Sequence, residues 1–478
     1  MPIKYQLKLL LILFFFMFIN QSKADFFKDI TSLIENNDFR LSYGVSVTDV
    51  NQDNKYEFVV TGFGFSNLAL SYQNGKLINI NKDEIFDDVN RRTIGVAACD
   101  IDQDGFEEIY FLNTDTYSGE KKYSDRLIDN SSNGFIDLFE KDINKKNLNL
   151  TAGRSVVCVD RNGDGKYGIY VANYGGPTRF YETVENEVKD LAPMLGIDQI
   201  TGGRAVISGH IVSDNMDIFA ANERGPNFLY KNLNGNFKDI ATEKNVQDTF
   251  QNGRGTALTD FLYRGELDII TSNWEGYHRI FVKQKESFLD MSSLNFRSPS
   301  RIRTVISADF DNDGYDEIFL NNIGQPNKLF RILDEGNLEE IKLDEALEAQ
   351  GLGTGAAVAD IDGDGILELL ISHGESGPQP LSLFKANVSN TNYIRIKPIN
   401  TFGAPARGAT VTLHTNLRNH AKTIDAGSGY LCQMEPVAHY GLREGEVIKN
   451  VSIKWTNGTV DRYEIYDINN TFEFRQGI

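Results

Sequence analysis

Cysteine is scarce in this chain, three in 478 residues, at positions 99, 158 and 432, which excludes a disulfide framework as the source of stability. Cys99 and Cys158 stand one and two residues before loop aspartates, on opposite faces of equivalent strands, so buried free thiols are expected. Positive charge is also short: 48 Lys and Arg against 67 Asp and Glu leave a net charge of −19. That balance argues against nucleic acid or an anionic membrane surface as a partner, since both need basic patches. The six histidines, at 210, 278, 373, 414, 420 and 439, show no paired metal-ligand spacing, and G-x-S-x-G, C-x-x-C and Walker patterns are missing. Long apolar runs are confined to the first residues. Lys4 and Lys8 flank or precede the apolar Leu9–Ile19, and Ser22-Lys23-Ala24 ends in a small residue, the pattern of a cleaved secretory signal peptide over 1–24 rather than a membrane span. The mature chain is therefore expected to be soluble and either secreted or periplasmic, where calcium is high enough to fill weak sites.

Aspartate, by contrast, is plentiful and regularly spaced. In Asp360-Ile-Asp362-Gly-Asp364-Gly365-Ile366-Leu-Glu368, acids fall at loop positions 1, 3, 5 and 9, with glycine at 6. A hard divalent cation takes six to eight oxygens, and such a loop turns alternate side chains inward and adds the backbone carbonyl of position 7. The pattern recurs at Asp100, Asp102, Asp104, Phe106 and Glu108, and at Asp309, Asp311, Asp313, Tyr315 and Glu317. Variants occupy Asp49, Asn51, Asp53, Lys55 and Glu57, with Asn54 in the glycine place, and Asp160, Asn162, Asp164 and Lys166. Carboxylates packed this closely are unfavourable without a cation, so about five calcium sites are expected. These are not EF-hands. Position 12, where an EF-hand needs a bidentate glutamate, is Val60, Phe111, Val171, Leu320 or Ile371, inside apolar runs that read as strands.

The first loop aspartates mark units at 49, 100, 160, 260, 309 and 360, and the double gap after 160 holds a degenerate unit near Gly209 with strands but no ligands. Seven units of about fifty residues have the period of propeller blades. In the unit at Asp260, Leu262 and Arg264 replace the ligands of positions 3 and 5, and Arg264 is expected to stand in for the metal. Phe27-Lys-Asp-Ile-Thr-Ser32 repeats the phrase Phe237-Lys-Asp-Ile-Ala-Thr242, so an N-terminal strand is expected to complete the last blade and leave no free edge.

After Tyr393 the period stops. Tyr393–Lys397, Gly408–Leu413 and Val451–Trp455 alternate like strands between glycine-rich turns, as in a small β-sandwich. The tandem aspartate loops, followed by Gly403-Ala-Pro-Ala-Arg-Gly-Ala409, Gly427-Ser-Gly-Tyr-Leu431, His439-Tyr-Gly-Leu442 and Val451-Ser-Ile-Lys-Trp-Thr-Asn-Gly458, resemble the ASPIC/UnbV proteins with FG-GAP/VCBS repeats, relatives of cartilage acidic protein. The resemblance implies an integrin-α-like propeller with calcium on one face and an appended ASPIC/UnbV domain. It implies no settled activity.

The expected architecture is all-β: a signal peptide over 1–24, a seven-bladed β-propeller over 25–388 and a β-sandwich over 389–478. Arg154, Arg254 and Arg303 lie six residues before their loop positions, with Arg204 equivalent, and Asn113, Asn173, Asn222, Asn273 and Asn322 lie thirteen after. Both sets are expected at the channel mouth opposite the loops, and two readings stand: the arginines pair with acids within the propeller while the asparagines cap strand turns, or the mouth takes an anionic or hydroxyl-rich ligand such as an acidic glycan, or an extracellular protein. The functional expectation is a monomeric, secreted, calcium-binding adhesion or binding module. The alternative is a secreted carbohydrate-active lyase or hydrolase acting at the same mouth.

Overall fold

The computed structural model describes residues 25–81, 86–131, 134–388 and 392–477, so the signal-peptide expectation lies outside the described residues. The chain is all-β apart from short helical turns such as Ala192–Leu195. Each repeat is a four-stranded antiparallel meander. In the first, Ser42–Thr48, Glu57–Gly62, Leu68–Gln73 and Lys76–Asn79 pair in order. Asn74 and Gly75 close its outer hairpin with φ of 52° and 78°, the left-handed pair that a two-residue hairpin matched to strand twist requires.

Further meanders start at Thr93–Cys99, Gly153–Val159, Ile200–Gly209, Gly253–Thr259 and Ile302–Ala308. The sheet that starts at Gly353–Ala359 continues through Glu368–His373 and Ser382–Ala386, and its fourth strand is Phe27–Asp29, with Phe27 opposite Ala386. First strands of successive sheets lie side by side, and Ser42–Thr48 contacts both Thr93–Cys99 and Gly353–Ala359, so the series returns on itself.

The core lies between sheets rather than within one. Along Glu57–Gly62 every residue is buried, yet Phe58 and Val60 pack with Leu370 and Leu383 of one neighbouring sheet while Val59 packs with Val96 and Phe111 of the other. A strand covered on both faces must be apolar at consecutive positions, which is why these strands read as unbroken hydrophobic runs.

The same geometry corrects the expectation of free thiols. Cys99 and Cys158 form a disulfide with Cα atoms 6.3 Å apart. Neighbouring sheets show opposite faces to each other, so two cysteines on opposite faces of equivalent strands meet across the gap between sheets. Cys432 alone is free, and it is buried.

Residues 392–477 form two sheets. Tyr393–Ile399 lies between Ala438–Gly441 and a parallel Asn470–Arg475, and Thr410–Thr415 lies between Asn419–Thr423 and Ile448–Lys454, with Val460–Tyr463 outside. Ile394, Ile396, Val411, Tyr440, Ile453 and Trp455 share the core of this region.

From it a segment around 425–435 runs into the ring. Ala426 accepts from Cys158 N, Gly429 and Thr256 exchange backbone hydrogen bonds, and Gln433 bonds through its backbone to Val45 and Val47 and through its amide to Ala98. A Cβ on Gly44 would stand 2.4 Å from the Leu431 carbonyl oxygen, so that strand can only be glycine where the segment passes. Arg407, fully buried, donates to Glu107, Val47 O and Asp425 O, which fastens the segment's base to the first two repeats.

Candidate functional site

The aspartate loops share one geometry. The backbone N–H of position 6 donates to the first aspartate at 2.8 Å from Asn54 to Asp49, 3.1 Å from Gly105 to Asp100, 2.9 Å from Gly165 to Asp160 and 3.0 Å in the loops at Asp309 and Asp360. Position 6 is left-handed throughout, with φ of 65° at Asn54 and 94° at Gly105. The position-9 glutamate folds back to accept from the N–H of position 2: Val50 to Glu57, Ile101 to Glu108, Phe310 to Glu317 and Ile361 to Glu368.

Carboxylate oxygens gather within 4.8 Å of one another in three loops, from Asp100, Asp102 and Glu108, from Asp309, Asp311 and Glu317, and from Asp360, Asp362 and Glu368. Asp104, Asp313 and Asp364 accept from the position-7 N–H of Phe106, Tyr315 and Ile366. In the first loop Asp53 accepts from Lys55 N, and Asn51 donates its amide to Glu57. In the third, Asp164 accepts from Lys166 N, and position 9 is Gly168, so no ninth-position acid closes the site around Asn162. Arg264 reaches Asp268 at 3.4 Å and Glu266 at 2.9 Å.

Burial, and then the charges of Asp102 and Asp104, push the Asp100 carboxyl up to about 7. Burial likewise raises Glu108 well above the ordinary glutamate range. Ionising such groups is costly unless a cation lies beside them. The donor set fits a hard divalent cation: all-oxygen ligands, and buried oxygens at Glu108 Oε1, Asp309 Oδ1 and Asp360 Oδ1 that no hydrogen bond satisfies.

Several first aspartates also hold the C-terminal region. Asp160 accepts from Thr456 Oγ1 at 2.7 Å, Asp260 from Ala421 N at 3.0 Å and Asp309 from Gly441 N at 2.8 Å, while Arg395 pairs with Asp360 at 2.8 Å.

The four arginines converge at the other end of the ring, lining a cavity of about 570 Å³ that carries six guanidiniums against three carboxylates. Aromatic rings alternate with them. Arg154 and Arg204 lie over Tyr174 at 5.2 and 4.6 Å, and Arg254 and Arg303 over Trp274 at 5.3 and 4.2 Å. Glu223 pairs with both Arg204 and Arg254, and Glu375 with Arg303. Arg154 has no carboxylate partner among the described residues and bonds instead to Gly153 O, Thr114 Oγ1 and Tyr117 O.

The asparagines follow the strand-turn reading. Asn113, Asn173, Asn222, Asn273 and Asn322 turn into their own sheets and donate to the carbonyls of Ser124, Pro177, Pro226, Tyr277 and Pro326, so they brace strand turns instead of lining the cavity.

Tyr430 went unrecognised in the sequence. It comes from the inserted segment and lines the same cavity. Burial raises its phenol, but the guanidiniums of Arg204, Arg303, Arg154 and Arg254 outweigh that and lower it overall. Its only sequence signal was the glycine-flanked phrase Gly427-Ser-Gly-Tyr430.

The C-terminal residues 401–478 match the family model "ASPIC and UnbV", and residues 309–371 match that of the FG-GAP-like repeat. Repeats of that kind joined to such a C-terminal region define the class. Cartilage acidic protein 1 of Homo sapiens is 44% identical over 464 residues, spanning 89% of this chain and 70% of that protein, and its Xenopus tropicalis counterpart is 44% identical over 466 residues, spanning 89% and 72%. The chain belongs to the cartilage acidic protein 1 family.

Among solved structures, the BP39L lectin from Burkholderia pseudomallei overlaps 72% of this chain and 99% of its own at 9% identity and TM-score 0.45. The rhamnogalacturonan lyase YesW overlaps 74% and 73% at 12% identity and TM-score 0.41. Likeness at that level extends to neither ligand nor activity. No helix among the described residues is long and apolar enough to cross a membrane.

Proposed function

We propose that this is a secreted, calcium-binding protein whose sheets are the seven blades of a β-propeller over 25–388, closed by the N-terminal strand and capped by a β-sandwich over 389–478. Its role is that of an extracellular binding module. Calcium, held by the loops at Asp100, Asp309 and Asp360 and more weakly at Asp49 and Asp160, stiffens the face on which the C-terminal domain sits. The opposite mouth takes an anionic ligand, an acidic or sulfated glycan.

One observation carries this reading: a chain of net charge −19 gathers six arginines in one aromatic-walled cavity. Electrostatic focusing in such a cleft favours anions, and guanidiniums fork onto sulfate or carboxylate. The lyase or hydrolase alternative lacks a comparable support. Burial raises Glu223, but Arg204 and Arg254 lower it overall, so it is held ionised and suits anchoring rather than proton donation.

The test is calorimetric titration with a heparin-derived oligosaccharide. Arg154→Met removes a charge without orphaning an acid, and a lost charge-assisted contact of about 1.5–3 kcal/mol weakens binding by about ten- to a hundredfold. Affinity unchanged in Arg154→Met and in Arg254→Met would rule the cavity out.

A further inference from the structure

The position-9 glutamate meets four different fates. One oxygen always accepts from the position-2 N–H, and the other faces the third strand of its sheet. That second oxygen of Glu57 accepts from Asn51 Nδ2 at 3.2 Å. On Glu317 it takes Arg331 Nε at 2.7 Å, and on Glu368 it takes Lys385 Nζ at 2.5 Å. On Glu108, whose side chain is fully buried, it has neither a hydrogen bond nor an ion pair among the described residues.

Register explains the difference. Arg331 pairs directly with Glu317 and Lys385 with Glu368 across neighbouring strands. Continuing the antiparallel register one step beyond the Ile109–Ile128 pair puts Asp129 opposite Glu108. One position in three equivalent sheets is therefore arginine, lysine and aspartate.

The two cations do more than pair with the glutamate. Lys385 Nζ stands 2.8 Å from Asp362 and 2.8 Å from Asp364, and Arg331 reaches Asp313 at 3.1 Å and also Asp311. Each is thus shared among three loop carboxylates. Among the described residues, no lysine or arginine nitrogen is in ion-pair contact with Asp100, Asp102, Asp104 or Glu108.

We infer that the loops at Asp309 and Asp360 carry side-chain cations of their own, Arg331 and Lys385, that compete with calcium, whereas the Asp100 loop, with Asp129 behind it, is open and fills first. This rests on the calcium reading above and ranks its sites. A resident cation neutralises part of the loop charge that would attract the ion and must move for the ion to enter. A fifth carboxylate adds charge at the loop that lacks one, and ligand charge count tunes calcium affinity.

The experiment is calorimetric titration of the mature protein with calcium alone, comparing wild type, Asp129→Lys and Lys385→Met. Asp129→Lys installs at one sheet the residue its sister sheet already tolerates. It is expected to remove the tightest calcium equivalent, or weaken it at least tenfold, without lowering the melting temperature in chelator. Lys385→Met is expected to tighten one weaker site at least tenfold, and to melt lower in chelator but recover with calcium. Should that variant fail to fold, Asp129→Lys decides alone. A tight equivalent that survives Asp129→Lys overturns the ranking while calcium binding itself stands. No calcium heat in any protein overturns the calcium reading, and the ranking falls with it.

Discussion

Truncating Arg407 probes how the C-terminal region is held. The guanidinium, with no exposed surface, donates to Glu107 Oε1 at 2.5 Å and Oε2 at 3.1 Å, to Val47 O and Asp425 O at 2.8 Å, and to Met434 O at 3.1 Å. In Arg407→Met, Glu107 stays buried and, among the described residues, keeps Thr48 Oγ1 alone as a side-chain donor, at 2.8 Å. An orphaned buried charge costs about 3–5 kcal/mol. Unfolding entropy of about 2.1 cal/mol/K per residue, over some 450 residues, makes that a drop of about 3–5 °C. In Arg407→Met/Glu107→Gln the orphan charge is gone, so the double variant is expected to regain at least half of the loss, a coupling of about 2 kcal/mol. Chemical denaturation of the four proteins in the cycle measures it. A loss under about 1 kcal/mol, or strictly additive changes, would refute the claim that one ion pair fastens the inserted segment to the ring.

Replacing both Cys99 and Cys158 with alanine opens a link 59 residues apart in sequence. Chain entropy puts the cost at about 4 kcal/mol, or about 4 °C, and an unchanged melt would show the pair reduced in solution. His278, buried against Phe296, is lowered to about 3 by burial and then by Lys328. The unfolded chain therefore binds a proton the folded one refuses, and stability falls with acidification between about pH 6.5 and 3, by about 1.4 kcal/mol per unit. His278 accepts from Asn273 N just as Asn227 and Asn327 accept from Asn222 N and Asn322 N. His278→Asn is accordingly expected to fold and to shed one proton from the acid slope, and an unchanged slope between pH 6 and 4 would contradict the assignment.

What was legible in the sequence was local. The Asp-x-Asp-x-Asp-Gly spacing dictates a turn whose first aspartate caps its own backbone, because those contacts span five residues or fewer. Arginines at a constant offset from those turns fall at one end of equivalent strands for the same reason. Distant relations were not legible. The disulfide needs the knowledge that neighbouring sheets offer opposite faces. Tyr430 reaches the arginines only because Gln433 and Gly429 dock on strands more than a hundred residues earlier. Arg331 and Lys385 follow their glutamates by different chain lengths, since the intervening loops differ, and only the register aligns them. For the asparagines, spacing left cavity lining and turn capping both open, because it reports which end of a strand a residue occupies and not which way its side chain turns.

The most direct measurement is thermal melting of the mature protein in chelator, in 2 mM calcium and in 2 mM magnesium. A site with a Kd of about 0.1 mM adds about 1.8 kcal/mol at about 2 mM calcium, or about 2 °C for a chain of this size. A rise of at least that amount with calcium and none with magnesium is the expected result. Identical melts in all three buffers, with no heat of calcium binding, would contradict the calcium-binding reading and leave the aspartate loops as acidic turns.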